Sequence, residues 1–581
     1  MLQLVPTDRS EPERIGLAPI ATAAFVTLSL AVYTAFVALW GSDPAVVALA
    51  AVPLVALVLI RTDRSGSRPK TSLPFHTAVL ATSISVLYAA LLIRLQGDPG
   101  ALVAAAIPFV AVFLLMKPLY ALYAAIGVAL LVDDELTPWL EWHRGVGELS
   151  GHTLDWLVLS PLELLILAAV LGHLVKAMRA KEAPFRPGAF LWPMLPFLAF
   201  VIAGFVVGRL QGGDARMAIF ELRAILYMPA IYLVFCNTVK TKRQLHMVMW
   251  ITLLAIGLDA LLTLWTYFVN FGGDLKGRSA ITDHQVAIFF AALVVFGFVH
   301  WLYRGRPGAE EKRGTSPRTT SSESGGQAPA LRDGGFREAR WQGLVMLTIL
   351  PLITTALIAA NRRAAYVALA IGIVVVLAVA FRDHKRVVVK IALAVAILSM
   401  VYAGAFWNSK SFLAKPLQGF KSVNAEEGTR DFSSNFYRVQ EKWNISITLR
   451  HNPLLGVGFG KPFEMAIPLP WFNSPLREYV THNSVVWIWL KTGVAGFLAF
   501  LTFIGLAVAR AARIYRQVED WQLKPMLATG LAFIIMYEVY SYVDQGWDFK
   551  GMVFIGTILG CFAVVERMKL LADGSGAKAN V

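Results

Sequence analysis

Charged residues are scarce in this chain. Asp, Glu, Lys and Arg make up 16% of its 581 residues, whereas soluble proteins of ordinary composition contain about 25%. This shortage excludes an ordinary soluble protein. The hydrophobic share of 57% and the mean hydropathy of +0.59 point in the same direction, so the sequence predicts a polytopic membrane protein.

Cysteine is rarer still, and internal repeats are missing. The two cysteines, Cys236 and Cys561, both lie inside apolar runs, so neither a disulfide framework nor a cysteine-based metal site is expected. The absence of a convincing repeat counts against a transporter built from two related halves. No small-residue cleavage site accompanies the first apolar run, so we expect a retained helix and not a removed signal peptide.

Long apolar runs are what the chain has in abundance. Runs of about 17 to 25 apolar residues are long enough to cross the roughly 30 Å hydrocarbon core as helices, and about sixteen of them lie between residues 15 and 565. The predicted fold class is therefore an all-α polytopic membrane protein with about sixteen transmembrane helices and one large helical loop outside the membrane.

Lys and Arg collect in alternate loops, which sets the predicted orientation, because cytoplasmic loops carry the excess of these residues. With the N-terminus inside, basic clusters at 61–70, 176–186, 304–340, 382–386 and 510–524 all fall on the cytoplasmic side. Both termini are then cytoplasmic. The net charge of +15 is explained by this topology and by contact with anionic lipid headgroups, and nucleic acid is not an expected partner.

Composition and span positions divide the chain into six segments. Residues 304–340 are rich in Ser, Gly, Pro and Thr without an apolar period, which predicts disorder. Loops longer than 12 to 15 residues are often functional, and one such loop follows residue 406. The predicted segments are an N-terminal transmembrane bundle at 1–303, a disordered cytoplasmic loop at 304–340, transmembrane helices at 341–406, a large periplasmic loop at 407–483, C-terminal transmembrane helices at 484–567 and a cytoplasmic tail at 568–581.

Two adjacent arginines, Arg362 and Arg363, stand between apolar runs at a hairpin tip that faces outward in this topology. Snorkelling to lipid phosphates is one interpretation. The functional interpretation is a fixed anion clamp, because the planar guanidinium meets phosphate oxygens in pairs and keeps its charge. Arg223 lies near the outer end of another span and is a weaker candidate for the same basic entrance, with interfacial anchoring as its alternative.

The outer loop supplies further polar candidates. Arg438 and Trp443 lie on a stretch with helical spacing. His482 precedes a helix for which Asn483 or Ser484 is a candidate N-cap. Individually each has a structural explanation, as a solvated charge, an interfacial ring or a cap. Their combination with the outward arginines favours a bound diphosphate with a proton acceptor, His482, beside it.

The order of these motifs resembles a known family. The segments NRRAAYVALA, YRVQEKW, NPLLGVGFG and THNSVVWIWLKTGVAGFLAF are similar to those of the O-antigen ligase and polymerase superfamily of bacterial inner membranes. The resemblance covers residues 341–505, and the spans before it agree only in general style.

The resemblance implies a GT-C-like, all-helical glycosyltransferase of lipopolysaccharide or other polysaccharide biosynthesis. Its donor would be an undecaprenyl-diphosphate-linked glycan, its acceptor lipid A-core, another glycan or a protein, and it would use no metal or other cofactor. Arg363 and Arg438 would bind the diphosphate and His482 would lie beside the acceptor, with Asn483 and Trp443 in support. The family often has Ser where this chain has Arg362, so Arg362 and Arg363 both stay candidates.

Alternative functions remain open. An acidic triplet, Asp133, Asp134 and Glu135, follows a span at its outer end, where some membrane glycosyltransferases hold a divalent cation. A lipid-linked oligosaccharide flippase would also use a cationic cavity, although charges along its helices would be expected. Ligase and polymerase share one donor and differ only in the acceptor, and a ligase-like activity is slightly favoured by analogy alone.

Overall fold

A computed structural model of the chain describes residues 110–131, 160–274, 281–282, 285–303, 348–470, 476–520 and 522–578. Most of these residues fall in one compact unit, Leu114–Val581. The predicted disordered loop at 304–340, the acidic triplet at 133–135 and the first predicted spans lie outside the described residues.

All regular secondary structure in the described ranges is helical, which confirms the predicted all-helical class. The helices are α1 (Pro118–Leu131), α2 (Pro161–Ala180), α3 (Gly188–Leu210), α4 (Ala215–Thr238), α5 (Lys242–Trp265), α6 (Val286–Tyr303), α7 (Thr348–Ala360), α8 (Arg363–Phe406), α9 (Lys415–Lys421), α10 (Arg430–His451), α11 (Ser484–Gln517), α12 (Leu523–Val543) and α13 (Phe549–Lys578).

Nine helical segments in the described part of the chain are long and apolar enough to cross a membrane. The count is ten if the bent pair Val110–Met116 and Pro118–Leu131 forms one further span. A multi-pass membrane protein is therefore confirmed. The total of about sixteen spans stays a prediction, because several of the predicted spans fall in residues that the structure does not describe.

Polar caps begin several of the helices. At α2, Ser160 and Glu163 form a reciprocal capping box, and Thr241 and Gln244 form another at α5. Asp214 caps α4 by accepting from the Met217 N–H. These caps satisfy backbone N–H groups that have no partner within the helix, and they fix where each helix begins.

The core of the unit is built from aromatic and aliphatic side chains of facing helices. Helix α13 packs along α4, α11 packs along α3, and α12 packs against α6 and α8. Tyr232, Phe235, Phe533, Tyr537 and Tyr540 are fully buried where these helices meet. Dense aromatic packing of this kind holds the helix ends in fixed positions.

Helix α8 reverses direction. Its 44 residues would span about 66 Å if straight, yet both of its ends contact the same short segment. Arg363 at its start donates to Ser422, and the carbonyl of Trp407 at its end accepts from Lys421. The apolar stretches Arg363–Arg382 and Lys385–Phe406 are therefore two antiparallel spans, as the basic cluster at 382–386 predicted.

One end of the bundle gathers the long segment 407–483. Helix α10 lies there across the end of α12, since Arg438 donates to the Val543 carbonyl at 3.0 Å. At the same end, the Ser484 hydroxyl and Gly546 exchange hydrogen bonds of 2.8 and 3.0 Å. Most of the polar residues that the sequence predicted for the site lie at this end.

Candidate functional site

A cleft of about 460 Å³ opens between the start of α8, helices α9 and α10, and the end of α12. The sequence-predicted residues that line it are Arg362, Arg363, Arg438 and His482. Four side chains from three distant stretches of the chain thus meet at one surface. Their predicted position at one membrane face implied this convergence.

Arg363 begins helix α8 and points toward the loop. Its Nη1 donates to Ser422 Oγ at 3.0 Å and to Asn435 Oδ1 at 3.2 Å, and its Nη2 lies 3.9 Å from Asp431 Oδ1. The side chain keeps 29% of its surface exposed. Neutral oxygens and a distant carboxylate hold the guanidinium in place without neutralising it fully.

Arg362 takes a different direction from its neighbour. It is the extended residue just before α8, and its Nη2 donates to the carbonyl of Thr282. Thr282 belongs to the segment before α6. Both arginines line the cleft, and Arg363 is the one whose hydrogen bonds reach α10 and the segment after α9.

Arg438 extends from α10 across the cleft to the end of α12. Its Nη2 lies 3.3 Å from Asp544 Oδ1, and its Nη1 donates to the Val543 carbonyl. The Arg438 side chain is 30% exposed, whereas the Asp544 side chain is 7% exposed. A buried carboxylate therefore anchors one side of the guanidinium and leaves the other side toward the cleft.

His482 is held by a carboxylate that the sequence analysis did not name. Its Nδ1 lies 3.1 Å from Glu441 Oε1, and its backbone N–H donates to Glu441 Oε2 at 3.1 Å. Glu441 is almost fully buried. The Tyr437 ring meets the imidazole edge to face at 5.4 Å, and burial raises the pKa of the Tyr437 hydroxyl, which keeps it protonated.

The two supporting residues have separate positions. Asn483 caps α11, because its side chain accepts from the Val486 N–H at 3.0 Å. Capping is the structural role that the sequence predicted for it. Trp443 lies on α10 with 54% of its surface exposed, and it does not line the cleft.

Arg223 does not join the other arginines. It lines another cavity of about 210 Å³ and forms a two-pronged ion pair with Glu163. Glu163 also accepts from Tyr227 at 2.8 Å. Its charge is thus matched by a carboxylate on α2. The predicted role of Arg223 in diphosphate binding has no geometric support from the cleft.

The glycine-rich segment that follows α10 threads into the bundle. Val457 donates to the Leu490 carbonyl and Phe459 donates to the Gly204 carbonyl, at 2.8 and 3.1 Å. At Gly458 the φ angle is +80°, and a Cβ there would lie 2.3 Å from a backbone nitrogen of α3. Only glycine fits this close approach.

A buried ion pair fastens the same insertion. Lys491 Nζ lies 2.7 Å from Glu221 Oε1, with both side chains wholly inaccessible, and it donates to the Lys461 carbonyl at 2.7 Å. Glu221 also accepts from the Gly460 N–H. The Lys-Thr-Gly part of the sequence motif therefore fixes the loop to the membrane bundle and does not reach the cleft.

The sequence indicated the cations of the cleft, but it did not indicate Glu441 or the pairing of either carboxylate with a cation. Glu441 and Asp544 both lie within the cleft's supporting structure. One signal was present in the sequence, since Glu441 follows Arg438 by three residues and therefore shares its face of the predicted helix. The pairing of Asp544 with Arg438 had no such signal, because the two residues are distant in the sequence.

Comparison with known families identifies the segment that contains the cleft. Residues 346–501 match the family model described as O-antigen ligase, which confirms the resemblance to the O-antigen ligase and polymerase superfamily. No curated protein matches the chain. The match includes Arg362, Arg363, Arg438, Glu441 and His482, whereas Arg223 and Asp544 lie outside it.

Proposed function

We propose, from the premise that residues 346–501 carry an O-antigen ligase domain, that this protein transfers a glycan from an undecaprenyl-diphosphate-linked donor to an acceptor hydroxyl. The reaction would take place at the periplasmic face of a bacterial inner membrane. One observation carries the proposal: Arg363, Arg438 and His482 line a single cleft at one end of the membrane bundle.

The two arginines suit a diphosphate leaving group. As the bond from the anomeric carbon to the phosphate oxygen breaks, negative charge grows on the diphosphate. Arg363 and Arg438 approach the cleft from different walls, each held by fixed partners. Preorganised cations stabilise such charge without reorganising during the reaction, and they also orient the donor.

His482 suits the acceptor side of the reaction. Donation of Nδ1–H to Glu441 places the basic lone pair of the neutral ring on Nε2. In the proposed step, Nε2 takes the proton of the acceptor hydroxyl while the acceptor oxygen bonds to the anomeric carbon. The bonding electrons of the donor leave with the diphosphate, and the imidazolium later releases its proton to water.

A single displacement of this kind inverts the anomeric centre. The acceptor attacks opposite the diphosphate, so the linkage formed has the anomeric configuration opposite to that of the donor. Comparison of the donor and product linkages by NMR measures this directly. Retention of configuration would contradict the proposed step.

The proposed chemistry uses no metal ion. In the described residues, no group of three or more His, Cys, Asp or Glu side chains is arranged to hold one, and the acidic triplet at 133–135 lies outside those residues. A chelator titration separates the two mechanisms. Turnover that EDTA abolishes and Mg²⁺ or Mn²⁺ restores would favour the acidic triplet.

Deletion of the gene followed by gel analysis of surface glycans tests the function itself. Long chains that accumulate unattached indicate a ligase, which is the activity we favour. Single repeat units on lipid A-core indicate a polymerase with the same donor, and donor trapped at the cytoplasmic face indicates a flippase. An unchanged glycan profile with unchanged protein glycosylation would contradict all three functions.

A further inference from the structure

The carboxylate behind His482 is not one of the residues that the sequence predicted for the site, and it lies below the cleft surface. This residue, Glu441, is on α10 one helical turn after Arg438, so that one face of one helix carries both side chains. Arg438 lines the cleft, whereas Glu441 is absent from its lining. Arg438 can therefore contact a ligand in the cleft directly, whereas Glu441 lies behind the cleft wall.

Both oxygens of Glu441 contact one residue. Oε1 lies 3.1 Å from His482 Nδ1, and Oε2 accepts the His482 backbone N–H at 3.1 Å. The Glu441 side chain is 4% exposed and that of His482 is 21% exposed. Two simultaneous contacts fix the position of the residue and the rotation of its ring, which a single contact would not do.

A buried carboxylate with such partners is expensive to keep for packing alone, because an apolar side chain would fill the same space without a desolvation cost. What the carboxylate adds is control of the imidazole. It fixes which ring nitrogen carries the proton, and it stabilises the imidazolium that forms when the other nitrogen takes a proton.

We infer that Glu441 is a positioning residue that orients His482 and sets its tautomer for proton uptake from the acceptor hydroxyl. This inference rests on the proposed function, in which His482 is the base. Helix α10 then supplies both halves of the reaction: Arg438 meets the leaving diphosphate, and Glu441 holds the base that meets the incoming hydroxyl. A shift of α10 would disturb both together.

A double-mutant cycle tests the inference. The variants are Glu441→Gln, His482→Ala and the double variant, and the readout is the initial rate of glycan transfer after purified protein is added to membranes of the deletion strain. A general base contributes about 10²- to 10⁴-fold. We therefore expect Glu441→Gln to lower kcat at least about 10-fold, with KM for donor extracted from that strain unchanged within about 2-fold.

The decisive comparison is the effect of Glu441→Gln without the histidine. If Glu441 acts through His482, its substitution in the His482→Ala background changes the rate by less than about 2-fold, because residues that act as a unit are not additive. An equal loss in both backgrounds would overturn the inference and leave the proposed function standing. Wild-type activity of His482→Ala would instead overturn the assignment of the base in the proposed function, and the inference with it.

A matched control and an activity-independent readout complete the test. His451 lies at the far end of α10, outside the cleft, and its Nδ1 is 2.7 Å from Glu464 Oε2. Glu464→Gln should therefore keep the wild-type rate. Carbethoxylation of His482 by diethylpyrocarbonate, followed by mass spectrometry, is expected to slow at least about 3-fold in Glu441→Gln. The reason is that a carboxylate that accepts from Nδ1–H raises the basicity of Nε2, and a neutral amide does so less. An unchanged rate of modification would overturn the inference.

Discussion

The cleft and the glycine-rich insertion each contain ionic contacts, and these contacts differ in burial and in distance. In the cleft, Arg363 and Arg438 are 29% and 30% exposed and stand 3.9 and 3.3 Å from their carboxylates. In the glycine insertion, Lys491 and Glu221 are wholly inaccessible and 2.7 Å apart. The first arrangement leaves positive charge available to a ligand, whereas the second uses it entirely within the protein.

Within one series of motifs, burial separates the residues of the proposed chemistry from residues that hold the fold together. Arg438, His482 and Lys491 all belong to segments that resemble the same family, and their sequence context does not distinguish them. A group that binds a substrate must keep part of its surface accessible, while a buried pair can only be broken at a cost. Variants at these positions should therefore fall into two classes, one that changes the rate and one that changes stability.

The largest expected effect is that of His482→Ala. Loss of a general base lowers the rate of transfer by about 10²- to 10⁴-fold. The melting temperature should fall only moderately, because the backbone N–H of residue 482 still donates to the buried Glu441 when the imidazole is removed. Rate and thermal melting of the purified protein are the two measurements. His451→Ala is the matched control, since His451 is exposed at the end of α10, and equal losses in both variants would contradict the assignment.

Glu221→Gln should act on stability and not on chemistry. It leaves the Lys491 charge buried without its partner, which costs about 3–5 kcal/mol and should lower the melting temperature. The double variant Glu221→Gln with Lys491→Met should recover most of that loss because no buried charge remains. A lowered transfer rate at an unchanged melting temperature would instead place the pair in the reaction and erase the contrast between the two arrangements.

Arg438→Ala should lower the rate by about 10²- to 10³-fold, the effect of removing one preorganised donor at a site of developing charge. Arg438→Lys keeps the charge but loses the planar fork, so its rate should lie between those of Arg438→Ala and the wild type. Arg450→Ala, on the same helix and exposed, serves as the control. Equal rates for the Ala variants at 438 and 450 would remove Arg438 from the site.

The smallest expected effect concerns pH. Partial burial lowers the pKa of Lys415, in the segment beside the cleft, to about 8 from an ordinary value of 10.5. Between these values the amine is neutral in the folded chain and protonated in the unfolded chain, so stability should rise with pH across that window. Thermal melting at about pH 8 and about pH 10 measures the rise.

Lys415→Met should flatten this dependence on pH, because the titrating amine is gone. Lys442→Met, at an exposed position of α10, should keep it. A rise of the same size in wild type and Lys415→Met would show that another group causes it.

The sequence alone predicted the membrane class, the turn between the two spans of α8 and the residues that meet in the cleft. Each of these depends on local patterns: apolar length, basic clusters and the order of motifs along the chain. The number of spans stays a prediction. So do the catalytic and binding roles of the cleft residues.

The pairings could not be predicted, because they depend on contacts between distant parts of the chain. Arg223 has a carboxylate partner on α2 that neutralises it, and nothing near it in sequence indicates this. Asp544 reaches Arg438 only because α10 lies across the end of α12. The threading of Gly458 against α3 likewise follows from tertiary packing, although glycine itself indicated a tight approach.

The returning span of α8 has a consequence for how the enzyme meets its bilayer. Only 6% of the apolar stretch within Lys385–Phe406 is buried inside the protein, so in a bilayer most of its apolar surface would be open to lipid tails. A helix so placed adjusts its tilt and depth to the hydrocarbon thickness around it. Trp407 at its end is tied to Lys421 near the cleft. A thicker or thinner membrane would therefore move one wall of the cleft and change the rate of the proposed glycan transfer.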